Sequence, residues 1–176
     1  MFVLRLLTLT DAIQLADYYR RNESFHREWT PLKPDGYYTP AFQETWLRNY
    51  FQRHNRGEQY RFGIFTSTDP ELLIGTITLA AVEREFFQNG RLGYSVDQQF
   101  CNRGVMTENL RKVMQFAFEK QGLHRLEASL MPHNIASRRV LEKCGFQKFG
   151  YSPQYLKIQG VWQDHELYMA LADPSS

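Results

Sequence analysis

The sequence has little cysteine and no long apolar run. Only two of its 176 residues are cysteines, Cys101 and Cys144, and they form neither a disulfide framework nor a metal site with ligand spacing. The apolar start after Met1 is short, Asp11 interrupts it and no small-residue cleavage site follows, so we expect no signal peptide. No run reaches the length of a transmembrane helix. We therefore expect a cytoplasmic protein with reduced thiols, no metal and no membrane attachment.

Charge of one sign is not in excess, and several common motifs are missing. Lys and Arg number 21 against 19 Asp and Glu, with no like-charge block, so we expect no direct nucleic-acid binding. His124, His133 and His165 are scattered without ligand spacing, and no local pattern indicates a Ser-His-Asp triad. The chain also lacks the Walker phosphate loop and the three-glycine dinucleotide fingerprint. Aromatic residues are plentiful at 15%, which favours a large apolar core, with an aromatic-lined cleft as the alternative.

The pattern of apolar residues predicts one α/β domain over residues 1–176, with a mixed sheet and the order β-α-α-β-β-β-α-β-α-β-β. The predicted strands are Phe2–Leu7, Tyr60–Thr66, Leu72–Ala81, Arg91–Val96, Arg125–Leu130, Phe146–Tyr151 and Trp162–Leu171. The predicted helices extend from the Thr10-Asp11 cap to about Arg21, from Thr39-Pro40 to about His54, from Thr107 to Gln121 and from Ile135 to Lys143. Turns are predicted at Ser67–Pro70 and Gln88–Gly90, and a loop at Trp29–Tyr38.

The stretch from Phe100 to Glu108 joins a predicted strand to a long predicted helix through a polar loop. Gly104 lets the backbone approach a ligand, because no Cβ stands in the way. The first amides of the helix lack an acceptor and attract phosphate oxygens, and Arg103 adds a cation. A pyrophosphate group suits this loop. A helix start capped by Thr107 or Asn102 is the alternative interpretation.

A second stretch, from Met131 to Phe146, ends a strand at Pro132 and begins a short helix near Asn134. Asn134 can cap this helix, and Ser137 lies one turn later on the same side. One helical face can therefore present an amide and a hydroxyl to a ligand. Arg138 and Arg139 add positive charge suited to phosphate, and a solvated arginine pair is the alternative.

These two stretches together resemble the GNAT acetyltransferases. That family carries Gln/Arg-x-x-Gly-x-Gly/Ala between its fourth strand and third helix. The matching window here is Cys101–Met106, in which Gly104 fits the central glycine and both ends differ from the pattern. Other segments resemble the RimJ/RimL branch, which acetylates the N-terminal amine of ribosomal proteins. They are Arg5–Ala12, Leu15–Tyr19, Leu92–Ser95, Gly104–Glu108, Met131–Asn134, Cys144–Phe146 and Tyr155–His165, so the similarity extends over nearly the whole chain.

The resemblance implies a fold, a cosubstrate and a set of binding residues. The implied fold is a twisted, mixed, mostly antiparallel sheet of about seven strands, flanked by about four helices and splayed between strands 4 and 5. The implied cosubstrate is acetyl-CoA, without a metal. Its binding residues are expected to be Tyr94, Ser95, Val96, Asn102, Arg103, Gly104, Val105, Met106, Thr107, Asn134, Ser137 and Arg138.

The resemblance also implies how the acetyl group is transferred. A neutral amine attacks the thioester directly, in a ternary complex. The Val96 amide is expected to polarise the thioester carbonyl, and Ser137 is expected to protonate the leaving thiolate.

The resemblance indicates the general base less directly. In RimL a glutamate just before a Tyr-Leu pair acts as base. The corresponding residue here is Gln154, which accepts no proton at neutral pH. Glu127 acting through water is therefore a candidate, and Asp164 with His165 is the alternative. An α-amine with a pKa near ~8 needs only modest help.

The expected acceptor is the N-terminal α-amine of a protein, with ribosomal proteins among the candidates, and the expected assembly is a monomer or homodimer. One alternative is transfer to a small amine such as a polyamine, an amino acid or an aminoglycoside, which acidic residues on the acceptor side would favour. The other alternative is a non-catalytic acyl-CoA-binding module, which the glutamine at Gln154 would favour.

Overall fold

The structure, a computed structural model, describes residues 2–173. Its strands form one seven-stranded sheet in the order β1-β2-β3-β4-β5-β7-β6. The strands are β1 (Phe2–Leu6), β2 (Tyr60–Thr66), β3 (Leu73–Glu83), β4 (Asn89–Val96), β5 (Arg125–Leu130), β6 (Gln147–Ile158) and β7 (Val161–Leu171). β4 and β5 pair in parallel, and the other pairs are antiparallel. The predicted mixed, mostly antiparallel sheet is confirmed.

Helices cover both faces of the sheet. They are α1 (Ala12–Arg21), α2 (Glu23–His26), α3 (Pro40–Asn55), α4 (Val105–Gln115) and α5 (Ile135–Lys143). On one face, called the α4 face below, Leu110 of α4 and Leu141 of α5 belong to the larger buried core. On the other, the α1 face, Leu15 of α1 and Leu47 of α3 pack with Phe65 of β2. The longer helices α1, α3, α4 and α5 each bury an apolar side, as a 3.6-residue period predicts.

β4 and β5 part partway along their length. They pair only at three rungs, from Asn89 with Arg125 to Arg91 with Glu127. Beyond that rung β4 continues to Val96 and β5 to Leu130. Their facing backbone edges therefore border an open gap, and the predicted splay is confirmed.

The structure differs from the predicted elements at several points. The four-residue helix α2 is additional, because so short a segment gives no hydrophobic period. α4 begins at Val105 rather than at Thr107, and a π-helical turn over Phe116–Lys120 follows it. Gly90, predicted to lie in a turn, lies inside β4, where an added Cβ would stand 2.6 Å from Leu79. This glycine serves close packing and not a turn.

β6 is longer than predicted and ends at Ile158 rather than Tyr151. Pro153 lies within it because β6 is an edge strand whose pairing with β7 is irregular between Ser152 and Leu156, so no ladder hydrogen bond is lost there. No helix in the range 2–173 is long and apolar enough to cross a membrane.

Candidate active site

A cleft of about 480 Å³ opens at the gap between β4 and β5. The end of β4, the loop into α4, the first turn of α4, one side of α5 and the segment around α2 line it. A cleft of this size is typical of small-molecule sites. Among the residues predicted to bind a cofactor, the structure brings together Tyr94, Ser95, Val96, Asn102, Gly104, Val105, Met106, Thr107, Asn134 and Ser137.

The beginning of α4 presents free amides to this cleft. Gly104 precedes the helix with φ of 75°, and no side chain caps the helix. The Glu108 amide donates to the Gly104 carbonyl at 3.0 Å, so the amides of Val105, Met106 and Thr107 have no acceptor within the helix. A Cβ at Gly104 would meet no atom within 4 Å. The loop can therefore cradle an anionic group such as a pyrophosphate.

The edge of β4 that borders the gap offers a further amide. The Asp97 amide donates to the Ile74 carbonyl of β3 at 2.8 Å. Because amides alternate along an antiparallel strand, the amide and carbonyl of Val96 point away from β3 and into the gap. The imidazole Nε2 of His26 lies 2.8 Å from the Val96 carbonyl oxygen. The Val96 amide is thus oriented to donate to a group lying in the gap.

Two hydroxyls meet on the α4 face of the gap. The Tyr94 and Ser137 hydroxyls are 2.8 Å apart, and burial raises the pKa of Tyr94 well above its ordinary value. The Tyr94 hydroxyl therefore stays protonated and can supply a proton through Ser137. Asn134 caps α5, since its side-chain oxygen accepts the Ser137 amide at 3.1 Å. The capping role predicted for Asn134 is confirmed, and the NH₂ group of the same side chain is left for a ligand.

Two of the predicted binding residues lie outside the cleft. Arg138 donates to the Pro132 carbonyl at 2.5 Å and to Glu166 of β7 at 3.0 Å. Arg139 and Lys143 line the cleft instead. Arg103 is exposed, with its guanidinium 5.3 Å from the centre of the Phe100 ring. At α5, Glu166 on the distant strand β7 binds Arg138, the first arginine of the pair. The binding roles of Arg138 and Arg103 stay predictions.

Glu127 lies on the α1 face, outside this cleft. It accepts a hydrogen bond from Arg125 at 2.6 Å and lines a smaller cavity of about 50 Å³ with Arg91, Ser129, Phe149, Tyr155 and Leu167. Glu127 stands at the last paired rung, opposite Arg91. Val96 is five residues further along β4, which corresponds to about 16 Å of strand. Its role as a base stays a prediction, and a relay over that distance would be needed.

Gln154, which replaces the glutamate of RimL, and the alternative base, Asp164 with His165, do not line the cleft. Gln154 is exposed, and its backbone amide donates a hydrogen bond to the Asp164 carboxylate at 2.8 Å. Hydrogen bonds from the Tyr151 hydroxyl and this amide hold the pKa of Asp164 below its ordinary value, which weakens it as a base. His165 is buried, with Nδ1 3.0 Å from the Gln163 carbonyl.

One wall of the cleft is not predicted by any pattern in the sequence. Phe25, His26, Trp29 and Thr30 form it, and no local motif marks them. Asp97, just after β4, holds this segment in place by accepting from Arg21 at 2.7 Å and from Asn22 at 3.0 Å. Burial alone would raise the pKa of Asp97, but these hydrogen bonds outweigh it, and the pKa lies below its ordinary value.

Comparisons with known proteins agree with this geometry. A family model described as an acetyltransferase (GNAT) domain matches residues 2–147. The "probable N-acetyltransferase YjcK" of Bacillus subtilis (strain 168) is 39% identical over 170 residues, which cover 97% of this chain and 93% of that protein. The ribosomal protein uS5-alanine N-acetyltransferase of Escherichia coli (strain K12) is 36% identical over 172 residues, covering 98% of this chain and 88% of that protein.

Solved structures share the whole fold. The ribosomal-protein-S5-alanine acetyltransferase of Vibrio fischeri superposes with a TM-score of 0.95 at 29% identity, covering 99% of this chain and 95% of that one. Mycobacterium smegmatis RimJ in complex with CoA-disulfide superposes with a TM-score of 0.90 at 23% identity, covering 97% of this chain and 82% of that one. A protein of the same fold therefore binds coenzyme A.

Proposed function

The chain belongs to the GNAT family of acetyltransferases, and from that premise we propose that it transfers the acetyl group of acetyl-CoA to the N-terminal α-amine of a protein, with ribosomal proteins as the first candidates. The family assigns the reaction class, which is N-acetyl transfer. The observation that supports this choice of acceptor is the 36% identity, over 98% of the chain, to the ribosomal protein uS5-alanine N-acetyltransferase of Escherichia coli. The fit of the cleft to coenzyme A supports the same proposal.

The residues of the cleft suit the parts of acetyl-CoA in order along the gap. The free amides at the start of α4 suit the pyrophosphate, and Arg139 and Lys143 add positive charge on the opposite wall. The edge of β4 up to Val96 borders the gap and suits the extended pantetheine arm. Acetyl-CoA, when bound, supplies an activated acetyl thioester at the inner end of the gap.

The chain's own groups then polarise the reacting carbonyl and move protons. The Val96 amide, oriented into the gap, donates to the carbonyl oxygen as negative charge develops on it. The hydroxyl pair of Tyr94 and Ser137 lies on the α4 face, where it can protonate the departing sulfur. Both groups are placed before any substrate arrives, so little reorganisation is needed.

The α1 face of the sheet carries a smaller cavity, of about 50 Å³, beside the last paired rung of β4 and β5. Its carboxylate, Glu127, is paired with Arg125 at 2.6 Å, and Arg91 lines the same cavity. A site with this charge balance attracts a polyamine poorly, because the negative charge is neutralised. This charge balance favours a single α-amine over a polycationic amine.

A competition among acceptors tests the proposal. The enzyme is incubated with acetyl-CoA and peptides that begin with Ala, Ser or Leu, and thiol release and product mass are followed. Matched controls are the Ala peptide with a blocked N-terminus and an internal Lys, together with spermidine, free alanine and an aminoglycoside. We expect kcat/KM to be highest for the Ala peptide and transfer to be lost when its α-amine is blocked. A higher kcat/KM for any small amine, or acetylation of the blocked peptide at Lys, would contradict the proposal.

A further inference from the structure

We propose that His26 is the catalytic base that accepts the proton of the attacking amine. The inference rests on the proposed N-acetyl transfer and assigns the residue that Gln154 cannot supply. Three features of the imidazole support this role: its position on the gap, the face of the sheet from which it approaches, and the tautomer that its hydrogen bond selects.

The imidazole lies at the edge of β4 where the thioester would react. Nε2 of His26 is 2.8 Å from the Val96 carbonyl oxygen, and the amide and carbonyl of one strand residue point the same way. The ring therefore stands beside the amide that is oriented to polarise the acetyl carbonyl. His26 also lines the cleft. A base in this place can reach the reacting nitrogen directly or through one water.

The ring reaches this edge from the side opposite the hydroxyl pair. Side chains alternate along β4, so Tyr94 points to the α4 face and Ser95 to the α1 face. The Ser95 hydroxyl is 2.8 Å from the hydroxyl of Tyr18 on α1, and the Tyr18 ring contacts the His26 ring at 5.8 Å between centres. His26 thus faces an amine arriving from the α1 side, while Tyr94 and Ser137 face the leaving sulfur.

The hydrogen bond fixes which ring nitrogen is basic. A carbonyl oxygen only accepts, so Nε2 carries the proton, and a neutral imidazole then has its lone pair on Nδ1. No hydrogen bond within residues 2–173 engages Nδ1. The charged groups around the ring are Asp97 after β4 and Lys33 in the loop before α3, and Tyr18 packs on it from α1. Burial lowers the pKa of His26 more than its bond to Val96 and the charge of Asp97 raise it, so the ring is neutral at pH 7.

These residues account for every proton that moves during acetyl transfer. The amine nitrogen forms a C–N bond to the acetyl carbon, and its proton moves to Nδ1 of His26. The C–S bond breaks, its electron pair leaves with sulfur, and the Ser137 hydroxyl protonates the sulfur with Tyr94 behind it. The imidazolium then returns its proton to solvent, and solvent reprotonates the hydroxyl pair.

The test compares three variants with the wild-type enzyme. His26→Gln keeps an N–H donor for the Val96 carbonyl but removes the proton acceptor, and His26→Ala removes both. His124→Gln is the matched control, since His124 is exposed and lies just before β5, away from the cleft. We expect His26→Gln to lower kcat about 100-fold while the Kd for CoA changes less than about threefold. We expect His124→Gln to match the wild type.

The pH profile separates a base from a residue that only positions Val96. For the wild type, log(kcat/KM) should rise with a slope of about 2 below the pKa of His26 and about 1 from there to the amine pKa near ~8. His26→Gln should show the slope of about 1 throughout. A His26→Gln enzyme with wild-type kcat and profile would overturn the proposal, and so would loss of the lower limb in Glu127→Gln alone.

A measurement without any acceptor keeps this inference separate from the proposed function. In the protein labelled with ¹⁵N-histidine, the ring nitrogens of His26, assigned through backbone connectivity, report the tautomer directly. We expect a protonated Nε2 and a bare Nδ1 at pH 7, with and without CoA. A proton on Nδ1, or an imidazolium at pH 7, would exclude His26 as the base even if peptides are acetylated. If the expected tautomer is found and peptides are not acetylated, the acceptor assignment alone fails.

Discussion

Replacing Gly104 with alanine separates cofactor binding from the stability of the fold. Gly104 has φ of 75°, in the left-handed region, and a Cβ there would point into the open cleft. Gly122 has φ of 64° and equally open surroundings, but it follows the helical segment after α4 and does not line the cleft. The two glycines are therefore a matched pair, with the same backbone strain and different neighbourhoods.

The expected losses of stability and of CoA affinity follow from the shared backbone strain and the different neighbourhoods. Both substitutions should lower the free energy of unfolding by about 1–2 kcal/mol, because an L-residue is disfavoured in the left-handed region. Only Gly104→Ala also places a methyl group where pyrophosphate approaches the amides of α4. Loss of one hydrogen bond to a charged oxygen costs about 1.5–3 kcal/mol, which raises the Kd for CoA about 10- to 150-fold.

Isothermal titration calorimetry with CoA and urea unfolding of both variants check the two effects. We expect similar unfolding curves for the variants and weaker CoA binding for Gly104→Ala alone. If both variants bound CoA as the wild type does, the loop would be only a turn and the phosphates would lie elsewhere. If Gly122→Ala weakened CoA binding as strongly as Gly104→Ala, the loss would reflect general destabilisation, and the assignment of the α4 amides would be refuted.

Two further predictions concern the thiolate donor and the wall of the cleft. Ser137→Ala and Tyr94→Phe should each lower kcat about 10- to 100-fold with little change in the Kd for CoA; kinetically silent variants would exclude this hydroxyl pair as the proton donor. Asp97 has a lower pKa in the folded than in the unfolded chain, so its stabilisation is present at neutral pH and is lost as pH falls below about 4. Urea unfolding at pH 7 and pH 3 should therefore show a larger loss for the wild type than for Asp97→Asn, and equal losses would contradict this role.

The amino-acid sequence alone determined the fold and much of the cleft. The loop at Gly104 and the cap at Asn134 are each built from residues within a few positions of one another, and such local geometry depends on backbone preferences that the sequence carries directly. The order of helices and strands along the chain followed from apolar periodicity for the same reason. The error at Gly90 arose because close packing against Leu79 overrode the usual turn preference. β6 continues past its predicted end at Tyr151 because an irregular edge strand tolerates Pro153.

Only the tertiary structure decided which side chains complete the site. His26 is separated by 70 residues from the Val96 carbonyl that it contacts, and Arg138 is turned from the cleft by Glu166, 28 residues away. Glu127 and Ser137 are close in sequence, yet they lie on opposite faces of the sheet and line different cavities. Hydrogen bonds and ion pairs between distant segments leave no periodic or spacing signal along the chain, because they depend on how the helices and strands pack in three dimensions.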